Sequence, residues 1–98
     1  MIYNKLVRDK IPELILQKGG QPLTHIASED EYWQKLKDKL LEECNEFVKD
    51  ETIEELADII EVVETIISYK KFDNQTVKII KEKKATEKGK FDRRIILE

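Results

Sequence analysis

Carboxylates occupy ten of the 23 positions from Glu42 to Glu64, and their spacing is ordered. They run Glu42-Glu43-x-x-Glu46, then Glu54-Glu55-x-x-Asp58-x-x-Glu61. Lys49 is the one cation in that stretch, so its local charge is near −9 in a chain whose total is −3. Crowding like charges is self-repulsive unless something cationic sits among them. Oxygen ligands in number suit a hard divalent ion, Mg²⁺ or Mn²⁺, rather than zinc. The chemistry such an ion supports is neutralisation of phosphate oxygens and activation of water.

The helical wheel sorts these acids. At about 100° per residue, Glu43 projects about 60° from the centre of its helix's apolar stripe, and Glu46 lies further round the same flank. Glu42 points nearly opposite the core. On the next helix Glu55 lies inside a wide apolar arc, between Ile59 and Val62, and Asp58 borders it. Each pair is spaced i, i+3, so each presents two carboxylates from one face. A solvated acidic face is the bland alternative. Against it stand the partly inward placement, the doubled spacing and the near absence of compensating lysines, because acids at an apolar border are costly unless paired or metal-bound.

Other side chains offer less. Cys44 falls on a buried stripe and reads as a core thiol, Ser28 as a helix cap, and His25 as a lone structural or exposed histidine. Tyr32 and Trp33 could stack on a base, but the spacing of Trp33 makes core packing its default role. Candidate phosphate-binding cations are Lys5, Arg8 and Lys10 near the N-terminus and Arg93 in the tail; Arg94, beside it, reads as surface.

The elements that must position these groups are helical. Ninety-eight residues, 40% charged, with three glycines and two prolines, suit one helical domain spanning 1–98. Residues 1–8 read as extended or irregular. Asp9 is expected to cap a short helix through about Lys18, with Pro12 in its first turn and Gly19-Gly20 ending it. Residues 21–27 read as an extended segment, an edge strand or a loop. Ser28 with Glu31 forms a capping box opening a helix over about 29–49, its buried stripe Trp33, Leu36, Leu40, Cys44 and Phe47. Thr52 with Glu55 is a second capping box, opening a helix over about 53–71. The short connection makes the two helices antiparallel. The second is expected to bury Ile53, Leu56, Ile60, Val63 and Ile67, with Ile59, Val62 and Ile66 widening the arc. Asp73 should cap a third long helix, about 74–87, turning Val77, Ile79 and Ile80 inward, and Gly89 should stop it. Residues 91–98 read as an extended tail that docks on a partner surface.

Charge is segregated: residues 69–98 hold ten Lys/Arg against five acids. The overall acidity argues against a polynucleotide partner and fits a small phosphorylated ligand better. No apolar run approaches the length of a membrane span, and no signal-peptide core is present, so a cytoplasmic, membrane-free protein is expected. Apolar residues left over around the helix 53–71 point to a homodimer or homotetramer.

Glu-Glu-x-x-Glu followed by Glu-x-x-Asp resembles the signature of the all-α nucleotide pyrophosphohydrolases, the superfamily of MazG, the dimeric dUTPases and phosphoribosyl-ATP pyrophosphohydrolase. Tyr3-Asn4-Lys5-Leu6-Val7-Arg8-Asp9-Lys10-Ile11-Pro12-Glu13 looks like the opening of a branch of small MazG-like house-cleaning proteins. Lys88-Gly89-Lys90-Phe91-Asp92-Arg93-Arg94-Ile95 is similar to that branch's ending, with Lys90 where a second glycine is commoner. The resemblance implies an antiparallel MazG-like helix bundle that is oligomeric. It implies Mg²⁺ held by Glu43, Glu46, Glu55 and Asp58, with Glu43 doubling as a catalytic acid. Glu42 is either a catalytic acid that helps to activate water or a surface residue, and Glu61, one turn beyond Asp58, is a further candidate for supporting the ligands or a second metal. The implied reaction hydrolyses an ordinary or damaged nucleoside triphosphate between the α and β phosphates, releasing pyrophosphate. Only eight residues separate Glu46 from Glu55, fewer than is usual in MazG. Phosphoribosyl-ATP pyrophosphohydrolase activity is the alternative enzyme reading, and a non-catalytic helical oligomer or binding module is the alternative from another class.

Overall fold

The computed structural model describes residues 4–98. Among them the regular structure is entirely helical: α1 (Ile11–Gln17), α2 (Glu29–Asp50), α3 (Ile53–Tyr69) and α4 (Asn74–Lys88). Tyr3, the first residue of the N-terminal block, lies outside the described residues. The chain separates into two compact units, Met1–Val63 and Glu64–Glu98, and α3 runs from the first into the second.

In the first unit, residues 4–8 have no regular structure, as expected. The cap of α1 differs from expectation. Lys10, not Asp9, occupies the N-cap position, with helical backbone angles and no side-chain cap. The Arg8 carbonyl accepts the Ile11 N–H instead, at 3.0 Å, so a turn through Asp9 and Lys10 does what a capping side chain would have done. Pro12 sits in the first turn as expected. The helix ends in a Schellman motif: Gly20 N–H reaches Ile15 O at 2.9 Å, Gly19 N–H reaches Leu16 O at 3.0 Å, and Gly19 takes φ 87°. Residues 21–27 form a loop, not a strand.

Ser28 caps α2 by accepting from Glu31 N–H at 3.3 Å. The Glu31 carboxylate does not complete the expected reciprocal box; it lies 2.9 Å from His25 Nε2. All five expected stripe residues of α2 are shielded, with Leu36 the most deeply buried residue. Lys37 stacks its ammonium over the half-buried Trp33 ring at 5.3 Å. The helix ends at Glu51, which turns into the left-handed region (φ 51°), and Thr52 Oγ1 then accepts from Glu55 N–H at 3.2 Å to start α3.

The buried face of α3 is rotated from expectation. Ile53, Leu56, Ile60 and Val63 are exposed, with Ile53 at 78%, and of the five expected residues Ile67 is half-buried; Val62 is buried and Ile59 and Ile66 are half-buried. The physical reason is that α3 is apolar around more than half its circumference. Its periodicity therefore admits two inward faces, and the packed one is the face that also carries Glu55 and Asp58.

In the second unit, Lys71 (φ 57°) closes α3 with Phe72 N–H on Ile67 O at 3.0 Å. Asp73 caps α4 as expected, accepting from Thr76 N–H at 2.9 Å and Thr76 Oγ1–H at 2.8 Å. Val77 is half-buried as expected, but Ile79 and Ile80 are exposed, and Ala85 is the other shielded residue of that helix. Gly89 stops it with φ 84°. Residues 91–98 are exposed throughout, and the expected extended tail begins instead with a turn, closed by Arg94 N–H on Phe91 O at 3.2 Å with Arg94 at φ 59°. Among the described residues no helix is long and apolar enough to cross a membrane.

Candidate metal centre

The tight α2–α3 connection reverses the chain, so successive turns of α2 meet successively earlier turns of α3. Carboxylate oxygens of Glu43, Glu55 and Asp58 lie within 4.8 Å of one another, and those of Glu46, Asp50 and Glu55 form a second such group. All four acids selected on the helical wheel thus enter one of two groups, and Glu55 belongs to both. Glu43 is the deepest, only 8% exposed; Glu55 and Asp58 are half-buried, while Glu46 and Asp50 face solvent. Asp50 was not singled out in the sequence, although it lies one turn beyond Glu46 on the same face.

Positive charge comes from outside the acidic stretch. Lys39, one turn before the first motif, sits 3.1 Å from Glu42 Oε2 and 3.2 Å from Glu43 Oε1. Lys5 Nζ donates to Glu42 Oε1 at 2.7 Å. Arg8 Nη2 donates to Asp58 Oδ1 at 2.7 Å, with Nη1 3.8 Å from Glu61 Oε1. Compensation is therefore fuller than residues 42–64 alone suggested. The i−3 and i−4 positions before Glu42 and Glu43 held the missed signal for Lys39. The N-terminal cations are brought in by the tertiary fold.

The wheel misplaced Glu42. Rather than pointing away from the core it is half-buried, because the N-terminal segment passes over its side of α2 and Lys5 lies on it. The Lys5 hydrogen bond holds the Glu42 carboxyl below its ordinary range, outweighing burial, with Lys39 adding to the effect. The same bond raises the Lys5 ammonium, and the bond to Asp58 raises the Arg8 guanidinium. Glu55 moves the other way. Desolvation raises its carboxyl, and the charges of Glu46, Asp58, Glu43 and Asp50 raise it further. Among the described residues no cation pairs with Glu55.

That asymmetry is a test of fit for a divalent ion. A set made only of carboxylate oxygens, converging on a group whose ionisation is disfavoured by its neighbours, is chemistry suited to a hard cation. Lys10 is exposed at the start of α1 and makes no ion pair with these acids among the described residues. Arg93 is an exposed residue of the second unit. Beside Glu42 lies an open depression of about 200 Å³, bordered by Lys5, Lys35 and Lys39 and by the acid Asp38.

No family model matches the chain, and no solved structure is significantly similar to it. A protein of Mycolicibacterium smegmatis (strain ATCC 700084 / mc(2)155), described only as an uncharacterized protein, is 52% identical over 42 residues. That stretch spans 43% of this chain and 43% of the relative, so the likeness covers less than half of either and carries no activity with it.

Proposed function

We propose that the chain is a Mg²⁺-dependent nucleotide pyrophosphohydrolase of the MazG-like kind, cleaving a nucleoside triphosphate between its α and β phosphates. The observation that carries this reading is the convergence of Glu43, Glu55 and Asp58 from two antiparallel helices, with Glu46 adjoining through Glu55. The resemblance of the two acidic motifs and of the N-terminal block supports it.

Glu43, Glu46, Glu55 and Asp58 would hold the ion. When bound, it supplies charge neutralisation at phosphate oxygens and makes a nearby water more acidic. Glu42 is ionised at neutral pH and is the candidate to accept a proton from the attacking water, as a base that its bonds to Lys5 and Lys39 weaken. Lys39 fixes Glu42 relative to Glu43 by touching both. Arg8 orients Asp58 and, with Lys5, places positive charge where a polyphosphate would approach; Lys10 and Arg93 are further candidates for that role. No covalent nucleophile is needed, and Cys44 is half-buried on the packed stripe.

One observation favours a second reading, a non-catalytic helical module. Lys5, Arg8 and Lys39 already neutralise part of the acidic set, as they would in a purely structural network. Pyrophosphate release separates the two. A panel of ordinary and modified nucleoside triphosphates, with phosphoribosyl-ATP included, is assayed with Mg²⁺ for wild type, Glu55→Gln and Asp58→Asn. Metal-dependent release that both substitutions abolish supports the enzyme. Release untouched by them would sink the assigned site, and silence across the panel would favour the module.

A further inference from the structure

The Arg8 guanidinium spans two acids of α3. Its Nη2 donates to Asp58 Oδ1 at 2.7 Å, while its Nη1 lies 3.8 Å from Glu61 Oε1, too far for a hydrogen bond. The two acids stand at i and i+3, one turn apart on one face. They are not equivalent. Asp58 belongs to the carboxylate group with Glu43 and Glu55, whereas Glu61 enters neither of the two groups found among the described residues. Arg8 thus grips a candidate metal ligand closely and an acid outside the ligand set loosely.

The backbone around Arg8 is anchored. Its carbonyl accepts the Ile11 N–H at 3.0 Å in the turn that opens α1. Three residues earlier, Lys5 donates to Glu42 at 2.7 Å, and Glu42 is also outside both groups. The Arg8 side chain is less confined: 55% of it faces solvent, as does 52% of Glu61. A divalent ion and a guanidinium on one carboxylate repel each other at close range. Shifting the guanidinium one turn along α3 relieves that repulsion and leaves it paired.

We infer that Glu61 is a positioning residue, which receives the Arg8 guanidinium from Asp58 when a divalent cation takes Asp58. The inference rests on the proposed metal centre and adds to it the fate of the cation already there. Lys5 keeps its place on Glu42, so the segment stays seated and only the Arg8 side chain moves.

A double-mutant cycle on the full chain tests this without substrate, with Mn²⁺ affinity read from the electron paramagnetic resonance of the free ion. Glu61→Gln is expected to weaken Mn²⁺ binding by about threefold or more beyond what it costs in an Arg8→Ala background. With Arg8 present, the guanidinium has lost its second partner and competes harder for Asp58; without it, only the loss of one nearby negative charge remains. Equal losses in the two backgrounds would overturn the inference and make Glu61 a ligand or a distant charge, with the metal centre intact. A wild type that binds no Mn²⁺ would overturn the metal centre itself, and the inference with it. Nuclear magnetic resonance of the wild type needs no substitution. Saturating Mg²⁺ should shift the Arg8 Nε–H and Glu61 carboxyl signals together with those of Glu55 and Asp58. Ligand signals that move while Arg8 and Glu61 stay still would also sink the exchange.

Discussion

The two ends of the acidic site solve the same electrostatic problem in different ways. At the Glu42 end the protein supplies its own cations: Lys5 from the N-terminal segment and Lys39 from the preceding turn of α2. There the carboxyl is held below its ordinary range. At the Glu55 end the carboxyl is raised instead, by desolvation first and then by the crowding charges of Glu46, Asp58, Glu43 and Asp50. Asp58 lies between the two regimes, with Arg8 on one oxygen while its carboxylate also belongs to the group with Glu43 and Glu55. A protein that neutralises its acids at one end and leaves them crowded at the other marks where an external cation is worth most.

Breaking the crowded end should have the largest effect. Glu55→Gln and Asp58→Asn are each expected to lower metal-dependent pyrophosphate release by more than about 100-fold. The thermal stabilisation expected of the wild type at saturating Mg²⁺, about 2.7 kcal/mol at 100 times the dissociation constant, should vanish with it. Differential scanning calorimetry with and without the ion reads the second effect without any substrate. An Mg²⁺ response that survives both substitutions would place the ion elsewhere.

Arg8→Ala probes the boundary between the two regimes. Removing a cation from Asp58 frees that carboxylate for a metal, while removing positive charge from the phosphate approach. We expect turnover to fall by about tenfold, on the order of a lost charge-assisted hydrogen bond, while Mn²⁺ titration shows affinity unchanged or tighter. A loss of metal affinity in this variant would mean that Arg8 organises the ligands rather than competing with the ion.

Acid pH should separate the ends in time. Glu55 must be ionised to bind a cation, and its carboxyl is raised above the ordinary 4.5. Protons therefore compete with the ion for this carboxylate, and at Mg²⁺ near its dissociation constant the metal response fades as pH falls towards that raised pKa. Glu42 is depressed below 4.5, so its contribution to stability is present above 4.5 and is lost only as pH falls through its lowered value. Calorimetry across this range should show the Mg²⁺ increment fading first and the Glu42 contribution afterwards. The reverse order would contradict the assignment of the two ends.

The smallest effect belongs to the compensated end. Glu42→Gln breaks ion pairs to Lys5 and Lys39 that are partly open to solvent, so it should cost less than about 1 kcal/mol in urea unfolding. The Mg²⁺-induced stabilisation should persist in this variant, even as the proposed proton-accepting role predicts lower turnover. If stabilisation is lost as well, Glu42 belongs to the metal set after all.

How much of this was legible beforehand differs from residue to residue. Ser28, Thr52, Asp73, Gly19 and Gly89 announced the helix ends because capping and left-handed turns are local events, decided within a few residues. The α2 stripe from Trp33 to Phe47 was legible because that helix has one apolar face. Helix α3 has more apolar residues than one face can hold, so its periodicity could not say which arc packs. The choice of Val62 over Ile60 came from the partner helix. Lys39 could have been found from its spacing to Glu42 and Glu43. The pairing of Lys5 with Glu42 and of Arg8 with Asp58 was not legible, since a sequence does not reveal that residues 37 and 50 positions apart become neighbours.

The sequence by itself determined the helices, their order and the carboxylates at i, i+3 spacing on two of them, because each depends on short-range periodicity and backbone chemistry. Only the tertiary structure decided which acids share a centre, which are neutralised by the chain's own lysines and arginine, and which face of α3 is left open. Those outcomes depend on distances of a few ångströms between residues far apart in sequence, where Coulomb interactions and desolvation are settled by packing.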